Sequence, residues 1–392
     1  MDIIIVGGGM VGATLAALLG AGGREVVVLD EGDPPTAPDA AEAPPDLRVS
    51  SVNRASASVF EQAGAWDAML AHRACPFRRL SVWDITGHGT TFHAEEADYD
   101  GFGWFIENRV IRAALYQSLT GSNTVEWRSG VRPTAIATGA ATASVTLSNG
   151  AQLAANLVVG ADGPRSAVRH HAGISAHSED YQQRALVTNV RTRLPQQDIT
   201  WQRFTPRGPQ AFLPLAGSNA SLVWYETPPV VRDLEGLGDA DLASAIQDAF
   251  PATLGAIDAV HGRASFAVSR QHATRYTAPR IALVGDAAHT IHPLLGQGLN
   301  LGIEGARTLA AAITTNPEHD PGTAPVLATY ERHHRPRALA LMAATNTCHH
   351  LFTRPPGSLR RLASSLLGLA RYAPIGRREA MRFAMGLPIR RR

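Results

Sequence analysis

The sequence predicts an α/β fold: a Rossmann-like parallel sheet, interrupted by a second, mixed but mainly antiparallel sheet and followed by a helical C-terminal segment. Three observations carry this. Residues 2–6 form an apolar, largely β-branched strand that runs into Gly7-Gly8-Gly9-Met10-Val11-Gly12. Two later apolar runs, Leu157-Val158-Val159-Gly160 and Ile281-Ala282-Leu283-Val284, each stop at an aspartate with a glycine beside it. Between them, residues 184–226 hold several segments that alternate apolar and polar, as strands of a half-buried antiparallel sheet do.

Composition narrows the function classes. With 392 residues, 45% of them hydrophobic and 18% charged, the chain has room for two domains and a sizeable core. A net charge of +2 is too small for a nucleic-acid partner, and no basic run is interleaved with aromatics. Lysine is absent, so all 36 cationic side chains are arginine, which removes a P-loop lysine and a Schiff-base lysine. Cys75 and Cys348 give neither a metal-ligand spacing nor a disulfide framework, so no metal is expected and the compartment reads as reducing. The chain enters its first strand at once, and no run approaches the roughly 18 apolar residues of a spanning helix. A cytoplasmic protein is expected, with at most a peripheral contact on the inner membrane face.

Taken in order, the glycines of the first motif have separate uses: a tight turn, close approach of backbone to a pyrophosphate, and close helix–strand packing. Gly7, Gly9, Met10, Val11 and Gly12 are therefore expected to bind a dinucleotide. The strand Val26 to Leu29 ends in Asp30, about twenty residues on, where an acid holds ribose hydroxyls; Glu31 is the alternative. Residues 34–46, rich in Pro, Ala and acid, read as a solvated excursion. Arg48 precedes a helical pattern over 55–66 and suits a pyrophosphate, to which its planar fork donates bidentately. From Arg78 the chain alternates through a hairpin turning at Gly87-His88-Gly89. Asn108 and Arg109 open a helix to about Leu119. Short strands around Val125, 134–137, 143–147 and 152–154 then read as a meander.

Asp162-Gly163 follows, and the alternating segments after it offer Trp201, Phe204, Phe212, Trp224 and Tyr225 as pocket walls. After Gly285-Asp286, the run Gly296-Gln297-Gly298-Leu299-Asn300 reads as a glycine loop feeding a helix amino terminus, which suits an electron-rich ring or oxygen. Residues 324–351 form a long helical pattern. Beyond Arg354, arginines interleave with Leu, Met and Phe, so this tail lies on anionic lipid, docks a partner, or packs back on the chain. The segments assign 1–75, 101–175 and 265–330 to the nucleotide-binding domain, 76–100 and 176–264 to a substrate domain, and 331–392 to the basic helical segment.

The three glycine-bearing segments, with Arg48-Val49-Ser50, Glu107-Asn108-Arg109, Phe212-Leu213-Pro214-Leu215 and His292-Pro293-Leu294, resemble the FAD-dependent aromatic hydroxylases of the para-hydroxybenzoate hydroxylase fold. Within them the chain is similar to the ring hydroxylases of ubiquinone biosynthesis, especially the demethoxyubiquinol type. The resemblance implies FAD, NADPH or NADH as reductant and dioxygen as co-substrate. It also implies hydroxylation of a polyprenylated phenol or quinol through a flavin C4a-hydroperoxide. By the same resemblance Asn108 and Arg109 bind the cofactor, Asp162 and Gly163 meet both cofactors and Asp286, after Gly285, bonds the ribityl chain. Pro293 to Asn300 would lie along the flavin ring, with the Pro293 carbonyl and His292 as catalytic candidates and His289 as a further relay. Two alternatives stay open: a hydroxylase of a soluble aromatic metabolite, and a flavin-binding member of a quinone-biosynthesis complex docked through the tail. One position departs from the family, which commonly has aspartate where this chain has Gly305, beside Glu304.

Overall fold

The structure, a computed structural model, describes residues 1–37, 44–195, 198–251, 255–315, 318–353 and 374–387. Six strands form one sheet in the order Thr277–Ala278, Ile281–Leu283, Leu157–Gly160, Ile3–Val6, Val26–Leu29, Val125–Arg128, and only the first pair is antiparallel. The inner strands are wholly apolar because both faces are covered, helix residues such as Leu15 and Ile303 and meander residues such as Val145 and Leu147 sharing one core with them; Ile3, Ile4 and Ile5 are all fully buried. Val125 belongs to this sheet, as a parallel edge beside Val26, and not to the meander. Its segment Val125-Glu126-Trp127-Arg128 alternates because an edge strand is half exposed, which is also how a meander strand reads. The meander is Pro133–Thr138, Ala143–Leu147 and Gln152–Ala155, with its turn at Gly150 in the left-handed region.

The register pairs Val6 with Gly160 and Gly160 with Leu283, so three adjacent strands end at one level. Their following turns, Gly7–Gly12, Asp162-Gly163 and Gly285-Asp286, are thereby gathered at the carboxyl edge of the sheet, where open α/β sheets bind ligands.

The second sheet has eight strands in the order His289–Thr290, Ile257–Ala273, Ala176–Thr192, Asn219–Glu226, Gly208–Pro214, Ile199–Thr205, Arg79–Asp84, Gly89–His93. All neighbours are antiparallel except Ile199–Thr205 and Arg79–Asp84. The strand Ile257–Ala273 does not stop at 264, where the sequence reading changes domain; it continues to pair with Ala176–Thr192 down to Ala273. One face is sealed by the helices Pro228–Gly236 and Asp239–Ala249, whose Val231 and Ile246 pack over Leu186, Phe212 and Leu222. A small antiparallel sheet, Val49–Asn53 with Gly103–Glu107 and Cys75–Phe77, completes the fold. The helical pattern over 55–66 resolves into Arg54–Gln62 and Trp66–Ala71, divided at Gly64, and Asn53 caps the first by accepting from the Ser56 amide at 2.9 Å.

Within the basic tail, the helix Pro374–Ala384 packs back on the chain. Met381 and Met385 are buried among Phe77, Phe102 and Phe105, and Arg377 donates to Glu96 and to the Thr91 carbonyl. This stretch is core, the last of the three readings that the sequence leaves open for the tail. Residues 354–373 and 388–392 lie outside the described residues.

The helix Gly298–Thr314 packs on the long helix Ala324–Phe352, and here the departure at Gly305 finds its reason. A Cβ on Gly305 would stand 2.7 Å from His334 Nε2, so the missing side chain makes room for that imidazole. His334 Nε2 lies 2.9 Å from His289 Nε2, with both rings buried. Burial, and secondarily the neighbouring histidine and arginines, lowers His334 from 6.5 to about 2. Burial likewise lowers His289 to about 4 and His292 to about 3.

The unfolded chain takes up a proton at each of these histidines near pH 6.5 that the folded chain refuses. Stability is therefore full above pH 6.5 and falls on acidification, by at most about 1.4 kcal/mol per pH unit per histidine. Asp286, raised by burial from 3.8 to about 6, opposes this, because between pH 6 and 4 the folded chain binds a proton there that the unfolded chain does not. Three groups outweigh one. The urea midpoint is expected to drop between pH 6.5 and 4.5, less steeply in His334→Gln; a midpoint flat over that range would contradict the neutral cluster.

Candidate active site

The site is built first from backbone. A Cβ on Gly7 would lie 2.4 Å from the Ala161 carbonyl oxygen and one on Gly12 2.0 Å from that of Gly7, whereas one on Gly9 meets nothing within 4 Å. Two motif glycines thus serve close packing and the third borders open space. The helix Met10–Ala21 starts at Gly9 with no side-chain cap, and the helix Gly298–Thr314 starts at Gln297 likewise. Each leaves amide N–H groups for an electron-rich ligand. Val11 wedges between the two segments, against the positions a Cβ would take on Gly285 and Gly302.

Asp30 sits at the end of Val26–Leu29, accepting from the Gly8 amide at 2.6 Å and the Gly32 amide at 2.8 Å, with Glu31 exposed beside it. Arg48 is exposed and close enough to Asp286 to lower its pKa. Asp286 has an accessible carboxylate although protein surrounds it densely enough to raise that pKa to about 6. Accessibility amid dense protein is the signature of a residue lining a deep cleft.

Other expected ligands are turned elsewhere. Both carboxylate oxygens of Asp162 are engaged by the Ser166 hydroxyl and the Ala167 and Val168 amides, so its side chain starts a helix, while Gly163 next to it borders open space. Arg109 donates to the buried Glu107 carboxylate and the Pro44 carbonyl, and Arg73 pairs with the same Glu107. Glu107 also accepts from the Asp46 amide, and Asn189 donates to the Pro45 and Asp46 carbonyls. These residues hold the segment that carries Arg48. Asn108 accepts from the Ser50 hydroxyl at 2.6 Å. Asn300 bonds the Asn53 amide and the Ser51 carbonyl, both at 2.9 Å, pinning the glycine loop to the strand Val49–Asn53.

Pro293 opens a short turn closed by the Gly296 amide on the Pro293 carbonyl at 3.0 Å; Gly296 is left-handed, and Gln297, Gly298 and Leu299 follow into the helix. His292 Nδ1 accepts from the Leu294 amide at 3.1 Å, which places the proton of the neutral ring on Nε2. That ring stacks on Tyr225 at 5.9 Å and meets Tyr181 and His349 edgewise or tilted, both at 4.6 Å.

Strand parity corrects the expected pocket. Trp201, Phe212 and Trp224 lie on the helix-covered face, where Trp201 stacks on Phe212 at 4.5 Å and Trp224 meets Phe250. They are core. Tyr225, one residue on from Trp224, points to the opposite face, with His292. Sequence reasoning missed Tyr181, on the strand Ala176–Thr192, and also Asn346, His349 and Phe352, which the long helix brings in from far along the chain without a local signal; Tyr181 donates to Asn346 at 2.9 Å and Phe352 stacks on Phe204 at 4.2 Å. It also missed Arg169, which donates to the Ala287 and Pro164 carbonyls and so braces two of the three turns together.

A family described as FAD binding domain matches residues 1–345. The 3-demethoxyubiquinol 3-hydroxylase of Escherichia coli is 37% identical over 388 residues, 98% of each chain. A ubiquinone hydroxylase of Rhodospirillum rubrum is 36% identical, over 98% of this chain and 89% of that one. Among solved structures, p-nitrophenol 4-monooxygenase of Pseudomonas putida superposes with a TM-score of 0.80 at 21% identity, covering 100% of this chain and 99% of that one. The chain belongs to the FAD-dependent aromatic hydroxylases of ubiquinone-biosynthesis type, and it is a flavoprotein monooxygenase. The residues fit FAD: open space at Gly9, two uncapped helix starts, and a cleft-lining carboxylate.

The glycines separate binding from folding. Gly9→Ala is expected to weaken FAD binding at least tenfold with an unchanged melting temperature, since its Cβ enters only open space. Gly12→Ala should cost stability itself, about 1–3 kcal/mol from overpacking. Fluorescence titration with FAD and thermal melts of the apoprotein check both, and equal behaviour of the two variants would show that the motif is not arranged around a ligand.

Proposed function

We propose that this enzyme hydroxylates the aromatic ring of a polyprenylated phenol or quinol, a precursor of ubiquinone. FAD, once reduced by NADPH or NADH, supplies the activation of dioxygen for transfer of one oxygen atom to the ring. The chain's own part is to hold the two rings together and keep water out. His292, with its proton fixed on Nε2 and its charge suppressed by burial, and the rings of Tyr181, Tyr225 and His349 form an aromatic wall beside the Pro293 turn. That wall is the observation that carries the reading. An electron-rich neutral ring suits such a wall, by ring-on-ring contact. The full-length likeness to quinol hydroxylases supports the same choice.

A substrate with a prenyl tail resides in a bilayer, and no described helix is long and apolar enough to cross one. Since Pro374–Ala384 is core, a peripheral membrane contact falls to the stretch with Arg354, Arg360, Arg361 and Arg371, each contributing about 1 kcal/mol near an anionic surface. Salt-sensitive sedimentation with anionic vesicles, lost in an Arg360→Gln/Arg361→Gln variant that still binds FAD, is expected; indifference to vesicles at low salt would leave delivery to a protein partner.

For the reaction, a short-chain demethoxyquinol analogue should raise NAD(P)H oxidation by an order of magnitude or more and give hydroxylated product by mass spectrometry. A soluble phenolic acid should do neither. Coupled turnover of the acid and not of the quinol would replace this substrate class with the soluble one.

A further inference from the structure

The C-terminal helix Pro374–Ala384 spans from the second sheet to the flavin loop, and both of its attachments are specific. At its start Arg377 is buried, donating to Glu96 through two nitrogens at 2.9 and 2.6 Å and to Thr90 and Thr91, with its guanidinium 4.6 Å over the Phe92 ring. At its end the last carbonyls, which a helix leaves without internal partners, are taken up by the cofactor side of the molecule. The Ala384 carbonyl accepts from Gln297 Nε2 at 3.2 Å, and the Met385 carbonyl accepts from the Ala55 amide at 3.2 Å, in the first turn of Arg54–Gln62. Gln297 Oε1 in turn accepts from Asn53 Nδ2 at 3.4 Å. Gly386 is left-handed, and a Cβ there would strike Asn53 Nδ2 at 2.7 Å and Ala55 Cβ at 2.8 Å, so the chain closes on this spot as tightly as backbone allows.

We propose that Gln297 is a positioning residue through which the C-terminal helix, anchored at Arg377, sets the placement of the loop Gly296 to Asn300 against the flavin. Asn300 pins that loop on one side, to Ser51 and Asn53, and Gln297 pins it on the other, to the C-terminal turn. The inference rests on FAD binding alone and is independent of which ring is hydroxylated. It turns the C-terminal stretch from a tail into a part of the cofactor site, and it ties the hairpin carrying Thr90 and Glu96 to the flavin edge without any contact between them.

The test is a double-variant cycle on the full-length flavoprotein, with Gln297→Leu, Arg377→Gln and both together. Two readouts independent of turnover are followed: the FAD dissociation constant by fluorescence titration, and the position of the flavin visible absorption bands. Each single variant is expected to raise the dissociation constant three- to tenfold and to shift the bands. The double variant should be no worse than the larger single, because both changes cut one strut. Multiplying fold-changes, or wild-type bands in either single variant, would overturn the proposal. Should Arg377→Gln fail to fold, Gly386→Ala replaces it: it forces the turn away from Asn53 while leaving both named side chains intact. The same band shift, absent any further effect of adding Gln297→Leu, is then expected, and unshifted bands would overturn it.

Discussion

Everything at the cofactor site depends on three strand ends meeting backbone against backbone. Gly7 lies on Ala161, Gly12 lies on the Gly7 carbonyl, and Val11 fills the space left by Gly285 and Gly302. A side chain at any of the crowded positions would part the turns and with them the amides they present. The turns so gathered present mostly peptide N–H and carbonyl groups, with the exposed side chains of Asp286 and Arg48 standing close to one another beside them. Arg169, spending its donors on the carbonyls of both later turns, is a brace for this arrangement and not a ligand.

The protein holds its histidines accordingly. His289, His292 and His334 are deep enough to stay neutral, and two of them share a contact that would be repulsive if both were charged. Charge is thereby kept out of this cluster of buried rings, and the hard chemistry belongs to the cofactor.

What was legible in the sequence is what local chemistry writes there. The glycine spacings, the aspartates ending apolar strands and the length of the helix from Ala324 all come from constraints acting over a few residues. What was hidden depended on partners elsewhere in the chain. Trp224 and Tyr225 are adjacent and both aromatic, and only the pairing of their strand decides which of them faces the helices and which faces His292. Asp162 carries the composition of a ligand but is consumed by the helix it starts, and Gly305 looks like a lost carboxylate until His334 is seen to fill its place. The basic tail was ambiguous for the same reason: the pattern of charge and apolar residues on Pro374–Ala384 suits a membrane as well as it suits Glu96 and the phenylalanines it covers.

The central parallel sheet is stitched from segments far apart in the chain, with Val158 waiting between Ile4 and a partner, Ile281, that follows the entire second sheet. During synthesis, therefore, the strand Leu157–Gly160 emerges with one hydrogen-bonding edge open, and it stays open while the antiparallel sheet is translated. Pairings of such high sequence separation are slow to close, and an open apolar edge invites mispairing until they do. For this chain roughly three-quarters of the residues must be made before the three turns can meet, so the pairing of Ile281–Leu283 that closes this edge also completes the cradle.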